Sequence, residues 1–368
     1  MALPAIVLTL NAGSSSLKYA LFGDTGIAPV RIAEGKIEGI GRNYDVVLDD
    51  VLQWTQQHLA GATLTAVGHR IVHGGDFANA MLLDDAAMAT LTALAPLAPL
   101  HQPHNLAAVA ALAKLRPGLP QVGCFDTAFH QTMDATARRF ALPQDMEKAG
   151  IRRYGFHGLS FEYIAGRLQE IAPAQAGGRI IIAHLGSGAS LCALKDGRSV
   201  DTTMSFTPLD GLVMATRCGA LDPGVLLYLM QTRGMDAAGL QDMLYDRSGL
   251  LGVSGISDDM RVLLASDAAG AKAAVELFVW RAAREIGALA ASLGGLDGIV
   301  FTGGIGENSP PIRAAIAARM DWLGLTLDDA ANRAGAVTIS MAGRAALAWA
   351  IPTDEEAVIA RHTRALAG

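Results

Sequence analysis

Val7-Leu-Thr-Leu-Asn-Ala-Gly13-Ser-Ser-Ser-Leu-Lys-Tyr-Ala-Leu21 is an apolar strand, a Gly/Ser turn and a second strand. A partial echo stands in the other half of the chain, Ile181-Ile-Ala-His-Leu-Gly186-Ser-Gly-Ala-Ser-Leu-Cys-Ala-Leu194. Aligning both ends of the two segments requires a one-residue gap. The repeat reads as a duplicated domain. It also reads, more plainly, as two buried hairpins with similar turns, because such turns favour Gly and Ser in any fold.

Working outward, runs rich in Val and Ile mark strands at Ile6–Leu10, Ala66–Ile71, Ile180–Ala183 and Gly298–Phe301. Helical spacing marks Val46–Leu59, Phe161–Ile171, Ala271–Leu293 and Ile312–Leu323. Strands alternating with helices predict an α/β architecture. At 368 residues the chain is too long for one core, so two domains are expected. Met1–Leu10 lacks a preceding basic residue and reads as a buried strand rather than a signal peptide. Leu91–Leu115 is broken by three prolines and is not a membrane span.

The net charge is −6 and no basic block occurs, so the counterion release that drives nucleic-acid binding has no source. Three scattered cysteines form no CxxC pair, which suits a reducing cytoplasm.

Three turns could cradle phosphate through backbone N–H groups: Gly13–Ser16, Gly186–Gly188 and Gly303–Asn308. The third follows a strand and precedes Ser309-Pro310-Pro311, read as a helix start. Each alone is better explained by a tight turn; three in one chain favour nucleotide binding. No GxxxxGK[ST] occurs, so a P-loop is excluded. Lys18 beside the first turn reads as a phosphate contact or as an exposed strand lysine.

Arg70 ends a strand in Gly68-His-Arg-Ile-Val-His-Gly-Gly75, where a guanidinium can grip a carboxylate or phosphate. The His69/His73 spacing suits zinc on a helix, but this segment reads as a strand end. Asp126 follows the short strand Val122–Phe125 and reads as a base or as a helix N-cap. His157 stands between glycines, with Ser160 as a helix cap, and Arg217 lies in a small-residue loop.

Together LNAGSSSLKYAL, GHRIVHGG, APLHQPHN, CFDTAFHQTM, RYGFHGLS, HLGSGASL, DTTMSFTPLDGLVMATRCGALDPG, SDDMR, FTGGIGENS and PTDEEAVIA resemble the acetate kinase family, in family order from residue 9 to 360. That family belongs with the sugar kinases, heat-shock chaperone ATPases and actin. The resemblance implies two duplicated actin-like (ribonuclease H-like) α/β domains with a cleft between them. Residues 1–128 would form the first, with helix 354–368 packing back on it. Residues 129–353 would form the second, for nucleotide binding and dimerisation.

The resemblance also implies the site. Asn11 and Glu355 would hold Mg²⁺, or Mn²⁺ in its place, directly or through water. Ser14, Ser16 and Lys18 would contact the transferring phosphate. Arg70 and Arg217 would clamp acid and phosphoryl group, Asp126 would position or deprotonate the carboxyl oxygen, and His157 would hydrogen-bond the phosphoryl oxygens. ATP would bind to His184, Leu185, Gly186, Ser187 and Gly188, to Asp259, Met260 and Arg261, and to Gly304, Ile305, Gly306, Glu307 and Asn308. Val72, Leu100, Phe156 and Pro208 would form the acyl pocket beside Arg70.

Acetate is the implied acceptor, with propionate or butyrate as the alternative and a non-catalytic ATP-binding switch as a third reading. A cytoplasmic homodimer without nucleic-acid or membrane partners is expected. The chain departs from the family pattern at Ser187, usually Asn, at Ser205 and Ala215, usually Gly, at Cys218-Gly219-Ala220 and at Asp354. It is also shorter than typical members, so trimmed surface loops are expected.

Overall fold

The computed structural model describes residues 5–12, 16–24, 29–39, 44–99 and 101–367. The strands are β1 (Ala5–Ala12), β2 (Ser16–Asp24), β3 (Pro29–Glu38), β4 (Thr63–Ile71), β5 (Met81–Leu82), β6 (Gln121–Phe125), β7 (Ile180–Leu185), β8 (Ala189–Lys195), β9 (Arg198–Thr202), β10 (Gly298–Thr302) and β11 (Leu347–Ala350). Helices fill the connections, among them α1 (Tyr44–His58), α2 (Gln102–Leu115), α3 (Gly158–Ile171), α4 (Pro223–Arg233), α5 (Ala269–Leu293), α6 (Gly303–Asn308), α7 (Pro310–Ala317) and α8 (Glu355–Ala367).

Contacts divide the chain into two compact units. The first comprises residues 1–131, 156–163 and 354–368; the second comprises 132–155 and 164–353.

The first unit holds the sheet β3-β2-β1-β4-β6-β5. Strands β1 to β3 form an antiparallel meander, and β1, β4 and β6 run parallel. Each strand sends alternate residues to opposite faces. Leu8, Leu10, Leu17 and Leu21 pack in one cluster with Leu48 and Val51 of α1 and Ala108 and Leu112 of α2. Val7, Ala20 and Ala66 pack on the other face with Ala360 of α8, and Cys124 joins Val358 and Ile359 there. Each such Leu, Ile or Val contributes about 1.5–3 kcal/mol when fully buried.

Gly68 of β4 lets α8 come this close. A Cβ there would stand 2.1 Å from Thr363 Oγ1 and 2.5 Å from Ile359 Cγ2.

The second unit repeats the plan. Its sheet runs β11-β10-β7-β8-β9, with an antiparallel meander β7–β9 and parallel β7, β10 and β11. In both units the meander's first strand pairs on its other side with a parallel strand. The shared topology decides for duplication. The one-residue gap is a difference in loop length: four residues lie between the pair Ala12↔Leu17 and three between Leu185↔Ala189.

Three expectations are corrected. Gly303–Asn308, read as a turn, is itself helical. Ser160 does not cap α3, because that helix already begins at Gly158. The helix predicted over Ile312–Leu323 stops at Ala317, and a separate short turn covers Asp321–Leu323. There Gly324 takes a left-handed conformation, and Leu325 and Leu327 bridge to Ala346 and Ser340. That pairing outweighs helical periodicity.

Candidate active site

Alternation along the parallel strands of the first unit sets its polar cluster. Asn11 follows Val7 and Thr9 on the face covered by α8, Arg70 follows Ala66 and Gly68, and Asp126 follows Cys124. Each is the last residue on that face, or just past it, at the carboxyl end of its strand, where open α/β sheets carry their sites. The N-terminus of α8 brings Glu355 to the same place.

Arg70 is the hub. Its Nε donates to Asp126 Oδ1 at 2.9 Å and its Nη2 to Oδ2 at 2.7 Å, a two-pronged pairing. Its Nη1 donates to Asn11 Oδ1 at 3.2 Å and lies 3.7 Å from Glu355 Oε2. Asp126 is 1% exposed. Burial disfavours the Arg70 cation, but Asp126 and Glu355 more than offset this, so its pKa lies above the ordinary arginine value.

Asn11 Nδ2 lies 3.5 Å from both Glu355 Oε2 and Glu356 Oε1. An amide and two carboxylates are the hard oxygen donors that Mg²⁺ takes, usually with phosphate oxygens and water completing the set. Among the described residues no three His, Cys, Asp or Glu side chains gather to hold a metal alone. Asn11 and Glu355 thus have the donor chemistry of a Mg²⁺ site. Lys18 faces Asn11 across the β1–β2 pair and is exposed, as a phosphate contact requires. Ser16 begins β2. Ser14 and Leu100 lie outside the described residues.

His157 holds φ +59°, a left-handed conformation few non-glycine residues adopt. Its neighbour explains how it is held. Gly158 N donates to Asp126 O at 2.9 Å, and a Cβ on Gly158 would stand 2.1 Å from that oxygen. The start of α3 is thereby docked on the Asp126 backbone. Phe156 is buried, its carbonyl accepts from His130 Nε2, and its ring meets His73 edge-on. Val72 is buried just past β4.

Two buried amides hold this strand end, and no single motif announced them. Asn105 Oδ1 accepts from Val72 N at 3.0 Å, and its Nδ2 donates to Ala12 O at 2.7 Å. Gln102 Oε1 accepts from His73 N, while its Nε2 donates to His73 O and Leu91 O. Gln and Asn three residues apart at a helix start, in Gln102-Pro-His-Asn105, were the available signal.

In the second unit, the turn after β7 meets the start of α6, which follows β10 directly. A Cβ on Gly186 would lie 3.7 Å from Gly304 N. They open on a cavity of about 830 Å³, lined by Gly186, Ser187, Asp259, Met260, Arg261, Gly304, Ile305 and Asn308 from the expected segments. Ala215, Asp258, Leu264, Ala265, Ser309 and Pro311, not anticipated, complete it. The volume suits a nucleotide-sized ligand.

His184, Leu185, Gly188, Gly306 and Glu307 support this cavity without lining it. His184 pairs with Ser190 in the β7–β8 hairpin. Glu307 Oε1 accepts from Gly303 N and Thr353 N, which ties the start of α6 to the Thr353 backbone. Asp259 caps its own helix through Arg261 N and pairs with the exposed Arg261 guanidinium at 2.6 Å.

Arg217 Nη1 donates to Pro208 O at 2.6 Å, so those two expected residues do come together. The Arg217 loop is tied to the cavity, since Ala215 N donates to Ser187 O.

The acetokinase family model matches residues 43–361. The chain belongs to the acetokinase family. It is similar to the acetate kinase of Rhodopseudomonas palustris, with 51% identity over 392 aligned positions that span 98% of each chain. Those positions exceed the 368 residues here, so at least 24 of them are gaps in this chain. Among solved structures it is similar to Porphyromonas gingivalis acetate kinase, with TM-score 0.89, 37% identity, and coverage of 98% of this chain and 99% of that one. It is also similar to a propionate kinase of Francisella tularensis, with TM-score 0.88, 35% identity, and coverage of 98% and 100%. Family membership makes the chain a phosphotransferase with a carboxyl acceptor.

Proposed function

We propose that this chain transfers the γ-phosphoryl group of ATP to acetate, reversibly, giving acetyl phosphate and ADP. The observation that carries the reading is the cluster of Asn11, Arg70, Asp126 and Glu355 at the ends of parallel strands. It combines a fixed cation with oxygen donors suited to Mg²⁺.

In the reaction an acetate oxygen bonds to the γ-phosphorus while the bond to the bridging oxygen of ADP breaks. Acetate is ionised at neutral pH, so no proton must be removed. The transition state spreads negative charge over three oxygens, and positioned donors are what lowers its energy. Arg70, Arg217 and His157 are those donors in this reading. Asp126 orients Arg70 rather than acting as a base. Asn11 and Glu355 would hold Mg²⁺, which when bound neutralises phosphate charge. The cavity of the second unit takes the nucleotide, and Val72 and Phe156 supply apolar wall to the acyl pocket. An ATP-binding switch would need neither the Arg70–Asp126 pair nor His157.

The test is acyl phosphate formation, trapped with hydroxylamine, from ATP and acetate, propionate or butyrate. Acetate should give the highest kcat/KM. A preference for propionate would favour the alternative, which the similarity to a propionate kinase supports. One methylene is worth about 1–3 kcal/mol in such a pocket. No product from any acid would defeat the reading.

We further read the chain as a cytoplasmic homodimer. Helix α4 has no buried residue although it carries Val225, Leu227, Tyr228 and Met230, with Leu227 57% exposed. An apolar helix left bare marks an association surface, and a second copy is the occupant here. Sedimentation should give twice the 38.3 kDa chain mass. Leu227→Glu with Tyr228→Lys should give the monomer. A monomeric wild type would remove this part of the reading. No helix among the described residues is long and apolar enough to cross a membrane.

A further inference from the structure

We propose that Asn105 is a positioning residue that sets the acid-facing end of β4 against the metal-facing end of β1. The inference rests on the acetate kinase reading and deepens it. Two parallel strands meet at the site, and their ends carry different duties. Past Asn11, β1 ends at Ala12. Past Arg70, β4 leads into Val72. Ladder hydrogen bonds pair these strands only as far as Leu10↔His69. Beyond that point the strand ends need another tie.

One side chain supplies it. Asn105 is 2% exposed and uses both ends of its amide, accepting from Val72 N and donating to Ala12 O. Its neighbour Gln102, fully buried, grips the N–H and carbonyl of His73. Both project from the first turn of α2. That turn bridges the two strand ends just where the pairing stops.

The consequence is a division of labour within one amide. The oxygen fixes Val72, a wall of the acyl pocket, and so governs acid binding. The nitrogen fixes Ala12, next to Asn11, and so governs the phosphoryl side. A group held this tightly matters because small displacements of reacting groups cost large factors in rate.

Two variants separate this role from simple packing. Asn105→Leu loses both contacts. Losing one buried hydrogen bond typically costs about tenfold, so KM for acetate should rise and kcat should fall by about tenfold each. Asn105→Asp keeps an acceptor for the Val72 amide in either protonation state, and KM for acetate should stay within about threefold of wild type. Amide hydrogen exchange gives a readout that needs no activity. The Val72 amide should be protected in wild type and N105D and exposed in N105L. If N105L does not fold, Asn105→Ser, too short to span both partners, takes its place with the same expectation.

Equal rises in KM for N105D and N105L, or equal protection of Val72 in all three proteins, would overturn the proposal. A wild type that forms no acyl phosphate would defeat the functional reading instead, and the exchange pattern at Val72 would then decide the tie by itself.

Discussion

Arg70 and Asp126, 56 positions apart in sequence, share a two-pronged ion pair with contacts of 2.9 and 2.7 Å at the ends of neighbouring parallel strands. Removing Arg70 takes the two-pronged cationic partner away from a buried carboxylate. Arg70→Ala should therefore destabilise the fold, by up to about 3 kcal/mol. It should also cut kcat by at least a hundredfold. The double variant Arg70→Ala with Asp126→Ala should recover much of the stability and none of the activity. Urea melts beside initial rates check both; a double variant less stable than R70A would contradict the pairing argument.

Gly158 has no room for a side chain against the Asp126 carbonyl. Gly158→Ala should displace the start of α3 and with it His157. Overpacking of this kind costs about 1–3 kcal/mol. We expect kcat to fall more than tenfold with little change in KM for ATP, since the nucleotide cavity belongs to the other unit. Loss of ATP affinity in place of turnover would argue against this placement of His157.

Gly304 presents the opposite case. Nothing lies within 4 Å of a Cβ built there, and the residue lines the cavity. Gly304→Val should leave folding stability within about 0.5 kcal/mol, as for most substitutions free of steric conflict. It should weaken ATP binding at least tenfold by occupying ligand space. Titration calorimetry with ATP tests this, and unchanged affinity would place the nucleotide elsewhere.

His69 lies buried directly behind the site, and burial, the largest effect, holds its pKa down to about 4 against a smaller opposing effect of Gln121. Its folded-state pKa is thus below the unfolded value of about 6.5. Unfolded chains bind the proton first. The stability this neutral histidine permits is therefore intact above pH 6.5 and is lost as pH falls from there toward 4. The loss approaches about 3 kcal/mol in total, at roughly 1.4 kcal/mol per pH unit. A melt series from pH 7.5 to 4.5 should show this slope, and His69→Phe should flatten it. An identical slope in the variant would assign the effect to another group.

Much of this was legible in sequence, for identifiable reasons. The strands Ile6–Leu10 and Ile180–Ala183 announce themselves because burial on both faces demands near-continuous apolar runs. Their repeated turns exposed the duplication, which the shared sheet topology then decided. Residues written into contiguous motifs, such as Gly186 and Gly304, converge as expected on one cavity. What stayed hidden was pairing across distance. Arg70 and Asp126 were separately visible as polar groups at strand ends. Only the strand order β1-β4-β6 makes them partners. Asn105 and Gln102 were hidden for a related reason, since a side-chain amide at a helix start reveals nothing of the backbone it will hold. The Gly303–Asn308 helix was missed because glycine-rich runs read as turns by propensity.

The bareness of Gly68 has a consequence in time. It lets α8 lie directly on strands made much earlier in the chain, and Glu355 meets Asn11 across 344 positions. At roughly 5–20 residues per second, tens of seconds of synthesis separate those two side chains. Through that interval the face of Val7, Ala66 and Gly68 has no cover and the Asn11–Glu355 pair does not exist. A chain stalled before α8 keeps that face of the sheet open to aggregation, so α8 seals the first unit only after the strands of both units have been made.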